Sequence, residues 1–415
     1  MISIKKRALI DFLDENKDLP IQGSEEWLQS RSGTIGGSEI STVLNINKYQ
    51  SVKQLIEQKS GISSFKKSAP LWFGNLFEYI LQQYTEKLFD TKIYETGSIP
   101  YKKSKLIKYS PDGIALINKN KLKNYLNNDD YDNKIFNLSY FKNISSEWDK
   151  KELLVLFEFK NPFMRVIKPN EIPIYYINQP KLGMEVIDIC EVSIFIESVF
   201  RFCSYTDIVK INKNTGIIDY DINNMYNRYY HFDRNKYNNK TLSYGSFSVY
   251  YESKNNSTHL LQVINNLVEY MMKNNIHQYD LSAIKDKKII NSIMENIIDY
   301  KDLKIIYHDI CINTNINNDD DSSYYYFNKY NNINKYKNEI IENKLKICND
   351  NNLEYLGIMS FKMLDINIEP IFKSNPLNNK VLNDIEQIIN VIKECETVND
   401  KNDKKKIINN FKLTT

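Results

Sequence analysis

Glycine and proline are scarce in this chain, 12 and 10 among 415 residues, which excludes collagen-like and linker-rich architectures. The five cysteines, Cys190, Cys203, Cys311, Cys348 and Cys395, form no CxxC pair and leave one unpaired. That excludes a regular disulfide framework and suits a reducing compartment. Four scattered histidines argue against a structural zinc site. No stretch approaches the roughly 18 apolar residues of a membrane span, and the N-terminal MISIKKRALIDFLDENKD has no apolar signal core. The expectation is a soluble intracellular protein without a membrane partner. Neither sign of charge dominates: the net charge is +3, so any affinity for nucleic acid has to come from a local patch.

What is present is ordinary in bulk, with 42% hydrophobic and 26% charged residues and length for two or three domain-sized units. Asn, Lys, Ile and Tyr are used heavily, a bias that hints at an AT-rich genome. Periodicity predicts helices over 5–16, 51–60, 70–90 and 174–188, with Leu71, Phe77, Ile80, Leu81, Tyr84 and Leu88 on one stripe of the third. Strands are predicted near 93–101, over 105–117 around the turn SPDG, and over 153–160 and 191–203. Residues 119–150, rich in Asn, Asp, Lys and Tyr, read as a surface excursion within a hairpin, and 312–340 as a loop or disordered. Helices are expected near 257–275 and 282–300, a strand pair over LEYLGIMSFKMLDINIEPIF, and a closing helix over 376–397. The domain reading is 1–204 core, 205–351 insertion, 352–398 closing strands and helix, and 399–415 polar tail.

The chemistry concentrates in LVLFEFKNP, residues 154–162, an apolar run that admits Glu158 and Lys160 and then stops at Pro162. Strand side chains alternate, so these two charges share one face near the strand end. Taken alone they are an edge-strand ion pair. YSPDGI adds Asp112 at a turn between two strand-like segments, and FGNLFEYI adds Glu78 on a helix. These carboxylates can converge on one hard cation, which Mg²⁺ requires. Lys160 would then hold and help deprotonate an attacking water, and Gln179 in YYINQPKLGM would orient Lys160 or that water. Each piece has a plainer reading: Pro-Asp-Gly is a common turn, and Glu78 suits the rim of an amphipathic helix. Their order along the chain joins them. Upstream, EEWLQSRSGTIGGSEI places Trp27 and Arg31 one helical turn apart, and Ser38 with the amides of a capped helix start makes a seat for a phosphate. An arginine fork there would sense a DNA end.

The ordered set W(x)3R(x)3IGGS, WFGNLFE, SPDG, FEFKNP and YYINQPKLGM resembles the lambda-type exonuclease, or YqaJ-type viral recombinase, branch of the PD-(D/E)xK nucleases, in the version of large cytoplasmic DNA viruses. The likeness covers roughly residues 24–203 and resumes at 354–372. It implies an α/β (α+β), restriction-endonuclease-like core, a central mixed sheet flanked by helices with a large inserted region. It further implies a Mg²⁺-dependent 5′→3′ exonuclease on linear double-stranded DNA, with one or two ions and Mn²⁺ as substitute. The implied metal ligands are Asp112, Glu158 and the Phe159 carbonyl, with Glu78 joining through water. Lys160 serves the nucleophile, Gln179 the geometry around it, and Arg31 and Ser38 receive the 5′-phosphate. Lys181 stands where the family often has a second glutamine. A single-strand annealing protein and a homo-oligomer are the implied partners, and the host cytoplasm or the virion the implied location. A structure-specific endonuclease or resolvase, and a non-catalytic DNA-binding or virion protein, are the alternative readings.

Overall fold

In the computed structural model the described residues are 2–63, 69–123, 151–163, 165–168, 170–203, 243–252, 269–270, 272–274, 303–312, 353–373 and 378–413. The chain opens with helix α1 (Ile4–Asn16) and the short α2 (Glu25–Ser30), then strand β1 (Ile35–Gly36), a single 3-10 turn over Gly37–Glu39, α3 (Ile40–Val43), α4 (Val52–Lys59) and α5 (Ala69–Phe89). Strands β2 (Ile99–Tyr101), β3 (Ser104–Tyr109) and β4 (Gly113–Asn118) follow, with α6 (Lys119–Lys123), β5 (Glu152–Lys160), α7 (Ile174–Val186) and β6 (Val192–Cys203). The rest comprises β7 (Ser243–Glu252), β8 (Leu303–Ile312), β9 (Leu353–Phe372), α8 (Asn379–Glu396) and α9 (Lys401–Asn410). Among the described residues no helix is long and apolar enough to cross a membrane.

The main sheet runs β4-β5-β6-β9-β7-β8, and a small sheet runs β1-β3-β2. Among the described residues only β5 and β6 of the main sheet pair in parallel, joined through α7, and its other pairings are antiparallel. The expected mixed sheet flanked by helices is therefore found. β5 is buried on both faces, which explains its nearly unbroken apolar run. Leu153, Val155, Phe157 and Phe159 face the core under α5, while Leu154 and Leu156 face the second core shared with Tyr109, Leu182, Met184, Ile385 and Ile388. By alternation Glu158 continues the second face.

Helix α5 is long because its sequence repeats apolar residues at helical spacing, a pattern that outweighs its many aromatic residues, and it stops at Asp90, whose φ of 50° is left-handed. Its buried stripe is Phe73, Leu76, Phe77, Ile80, Leu81, Tyr84 and Leu88; Leu71, expected on it, is 39% exposed because it lies in the first turn, ahead of the sheet contact. The Phe77 ring stacks on Phe200 at 4.3 Å, which sets the rotation of the helix and thereby the direction of the next residue, Glu78.

Several elements depart from the sequence expectation. LEYLGIMSFKMLDINIEPIF is one 20-residue strand rather than a pair, its two pairings each broken by a register shift, so bulges and not a turn absorb its length. Part of 205–351 joins the sheet as β7 and β8; the helices expected over 257–275 and 282–300 and the loop over 312–340 lie almost wholly outside the described residues, as does 124–150. The polar segment 399–415 contains α9, capped by Asp400 on the amides of Asn402 and Asp403 and anchored by the buried Ile408. The helix start expected at GGSEISTV shrinks to the 3-10 turn and the four residues of α3, because Asn45 at φ 57° ends the run.

Candidate active site

The end of β5 outruns β4, whose pairing with it stops at Gly113 opposite Phe157. The Phe159 amide is therefore left without a strand partner on that side, and it donates to Asp112 Oδ2 at 2.8 Å. The turn aspartate is thus held by the backbone of the Glu-x-Lys strand. Lys160 Nζ donates to Glu158 Oε1, lies 3.7 Å from Asp112 Oδ2 and donates to the Phe159 carbonyl at 3.0 Å. One ammonium therefore touches all three groups expected to ligate a cation.

Tyr109, two residues ahead of the turn proline, donates its hydroxyl to Glu158 Oε2 at 3.0 Å. Its ring is clasped by two glycines. A Cβ at Gly37 would sit 2.4 Å from Tyr109 Cδ2, and one at Gly183 2.5 Å from Tyr109 Cζ, so any side chain at either position displaces the ring. Asn161 fastens the same strand end: its Nδ2 donates to the Gly74 carbonyl of α5 at 3.1 Å, and Ser198 Oγ of β6 donates to its Oδ1. Sequence reasoning missed Tyr109 and Asn161, although both sit inside the quoted motifs YSPDGI and FEFKNP.

The electrostatics are those of a site with surplus negative charge. Burial is the chief cause pushing the Glu158 carboxyl up to about 7, with Asp112 adding repulsion and Lys160 and Tyr109 opposing. Burial likewise pushes Glu78 up to about 8, reinforced by Asp112 and Glu158 against Lys160. For Lys160 burial works against the ammonium, but Glu158 and Asp112 outweigh it and hold the amine protonated. The Tyr109 hydroxyl is driven well above its ordinary range, first by burial and then by Glu158 and Asp112. Glu78 is thus in electrostatic contact with the cluster.

Among the described residues no three His, Cys, Asp or Glu side chains converge in ligating geometry. Lys160 Nζ stands against both Asp112 and Glu158, so these two reach one charge centre while Glu78 remains a coulombic neighbour. The donor set nevertheless fits a hard divalent ion: two carboxylates and a backbone carbonyl around one point, all oxygen, with more negative charge than one lysine offsets.

The upstream motif is pinned to this centre. Trp27 Nε1 donates to Ser110 Oγ at 3.0 Å, and the Arg31 guanidinium lies 4.6 Å over the Trp27 ring. Arg31 also covers Gly36, where a Cβ would meet its Nη2 at 2.2 Å. The Gly36 amide is taken by Glu39 Oε2 at 2.7 Å, and Glu39 is paired with Lys59 at 3.0 Å. With a 3-10 turn and a four-residue helix behind it, the expected phosphate seat has little helix dipole; Arg31 is half-buried there and Ser38 is exposed. Gln179 on α7 packs beside Gly37, its Cγ 3.6 Å from where a Cβ would stand. Among the described residues no hydrogen bond links it to Lys160.

The YqaJ-like viral recombinase domain family matches residues 26–188. Protein D345L of African swine fever virus (strain Badajoz 1971 Vero-adapted) is 30% identical over 211 residues, 48% of this chain and 56% of that protein. Its counterpart from isolate Tick/Malawi/Lil 20-1/1983 is 29% identical over 196 residues, covering 45% and 52%. The chain therefore matches only about half the length of these relatives. Among solved structures, the alkaline exonuclease LHK-Exo from Laribacter hongkongensis aligns at a TM-score of 0.30 and 16% identity over 42% of this chain and 74% of that one. Turn aspartate, Glu-x-Lys strand and flanking helices lie together inside the span, residues 26–188, that is similar to the YqaJ-like viral recombinase domain.

Proposed function

We propose that the protein is a metal-dependent deoxyribonuclease that digests one strand of linear double-stranded DNA from its 5′ end, in viral DNA recombination, repair or genome processing. The observation that carries this reading is the meeting of Asp112, Glu158 and the Phe159 carbonyl at Lys160 Nζ, at the end of a buried strand. Asp112, Glu158 and the Phe159 carbonyl would hold Mg²⁺, or Mn²⁺ in its place, as one or two ions, with Glu78 bound through water. When bound, the ion supplies a Lewis acid that stabilises charge on the phosphate and on the leaving 3′-oxygen. Lys160, kept protonated by its carboxylates, orients the attacking water through the hydrogen bonds it donates. Tyr109 holds Glu158 in place from the other side, and Gln179 shapes the pocket wall between Gly37 and α7. Arg31 and Ser38 receive the 5′-phosphate, the arginine made rigid by its stack on Trp27. A single-strand annealing protein, a homo-oligomer, and a site of action in the host cytoplasm or virion complete the proposal.

The deciding experiment offers the protein linear 5′-phosphorylated duplex and covalently closed circular DNA, each with Mg²⁺ or with EDTA. Mononucleotide release from the linear form alone, dependent on Mg²⁺, is the expected result. Nicking of closed circles would replace the reading with a structure-specific endonuclease or resolvase. Binding without cleavage of either would replace it with a non-catalytic DNA-binding protein.

A further inference from the structure

A continuous path of aromatic rings leads from the Lys160 ammonium to solvent. Lys160 Nζ lies 5.6 Å from the centre of the Tyr176 ring, and Arg165 Cζ lies 5.7 Å from it. Tyr176 and Tyr175 are 4.5 Å apart, and Tyr49 meets Tyr175 edge-on at 5.5 Å. Lys48 Nζ caps the far end, 4.9 Å from the Tyr49 ring and 5.0 Å from the Tyr175 ring. The path thus carries a cation at each end and three phenol rings between.

The path is built rather than accidental. Tyr49 is 68% exposed, yet its loop is tightly bonded: the amides of Ile46 and Asn47 donate to the Ser41 carbonyl at 2.9 and 3.0 Å, Asn47 Nδ2 donates to Thr42 Oγ1 at 2.8 Å, and the Tyr49 amide donates to Asn47 Oδ1 at 2.9 Å. Ser41 Oγ donates to the Tyr175 carbonyl at 2.6 Å, tying that loop's base to α7. Arg165 is ion-paired with Glu197 of β6, whose side chain is fully buried, so its guanidinium is held over Tyr176. A large ring held in water by an ordered loop gains little for the core, and it is pre-organised for a ligand with a flat face.

We infer that Tyr49, Tyr175 and Tyr176, flanked by Lys48 and Arg165, form a nucleobase-stacking platform for the unpaired end of the strand being cut; this rests on the DNA-cleaving reading above. A strand end whose phosphate reaches Lys160 has its adjoining base beside the Tyr176 ring, 5.6 Å from that ammonium, and an unpaired base can turn its face onto such a ring. Aromatic faces compensate for the stacking it has lost whatever the base, and the flanking cations follow the backbone phosphates. Tyr49, the exposed outermost ring, takes the base farthest from the cut.

The test uses the full chain in EDTA with a 5′-phosphorylated duplex carrying 2-aminopurine at its terminal nucleotide. Binding of the wild type is expected to change the 2-aminopurine emission. Tyr49→Ala should lose that change and bind a frayed end about tenfold more weakly, whereas Tyr49→Phe keeps both. Because Tyr49 is exposed, the alanine variant should keep the wild-type circular dichroism and melting temperature. Tyr49→Ala with wild-type emission and affinity would overturn the platform, as would a wild type that binds without any change in emission. If the wild type changes the emission but releases no nucleotide from the same duplex with Mg²⁺, the nuclease reading fails and the platform stands. If it digests the duplex and neither variant alters the emission, the platform falls alone.

Discussion

Two buried lysine–glutamate pairs flank β5 at opposite ends, and they do different things. Near the start of the strand, Lys5 donates to both oxygens of Glu191 at 2.9 and 2.8 Å, and the Leu154 amide donates to Glu191 Oε2 at 3.0 Å. The two side chains are only 3% and 7% exposed, and one positive charge meets one negative charge with every carboxylate oxygen served. This pair ties α1 to the sheet. At the far end, Lys160 and Glu158 are 21% and 0% exposed, but Asp112 and Glu78 crowd the same ammonium. A balanced pair is a strut, whereas an overcharged one is unstable as it stands and becomes comfortable when a further cation arrives.

Breaking the second pair should have the largest effect. Asp112→Asn and Lys160→Ala are each expected to lower the rate of Mg²⁺-dependent digestion of linear duplex by at least about 10²-fold, with DNA binding in EDTA nearly unchanged. A variant that digests at close to the wild-type rate would take its residue out of the site. Breaking the strut instead acts on stability. Lys5→Ala leaves Glu191 buried and unpaired and should cost about 3–5 kcal/mol in urea unfolding, a loss that Mg²⁺ does not restore.

The pH dependence sharpens the contrast further. Glu158 and Glu78 have carboxyls raised in the folded protein to about 7 and about 8, so the fold binds these protons more tightly than the unfolded chain does. Their contribution to stability is present below the ordinary carboxylate range and is lost as the pH climbs through 7 to 8. The metal-free protein should therefore melt at a lower temperature at pH 8 than at pH 6, and Mg²⁺ should raise the melting temperature more at pH 8. Equal Mg²⁺ shifts at both values would mean that the ion does not bind at these carboxylates. Among the smaller effects, Arg31→Ala should equalise digestion rates on 5′-phosphate and 5′-hydroxyl ends, measured as a ratio, and an unchanged ratio would remove Arg31 from end recognition. Tyr109→Phe should cost about 1 kcal/mol of stability, since it removes one hydrogen bond to a buried carboxylate.

Much of the core was legible in the chain itself. The periodicity of 70–90 anticipates α5, and the alternation in LVLFEFKNP puts Glu158 and Lys160 on one face of a strand. Pro-Asp-Gly marks the turn that carries Asp112. What stayed hidden was long-range or stemmed from weak local signals. β7 and β8 are short segments set within Asn-rich surroundings, and long-range pairing places them: β7 lies against β9, and β8 against β7. The helical character of 401–410 depends on packing Ile408 against a core assembled from remote segments. The short α3 shows the reverse: an apolar period promised a helix, but Asn45 ended it after one turn.

The sequence alone determined which residues carry acid, base and amide groups, and the local elements that present them, because backbone propensity and side-chain alternation act within a few residues. Tertiary structure alone decided that Asp112 is held by the Phe159 amide, that Tyr109 passes between Gly37 and Gly183 to reach Glu158, and that Lys48 and Arg165 bracket a row of tyrosines beside Lys160. These contacts join residues far apart in the chain, Asp112 and Phe159 by 47 positions and Lys48 and Tyr175 by 127. Their energies depend on burial and on how many like charges share one space, quantities that exist only once the chain has folded.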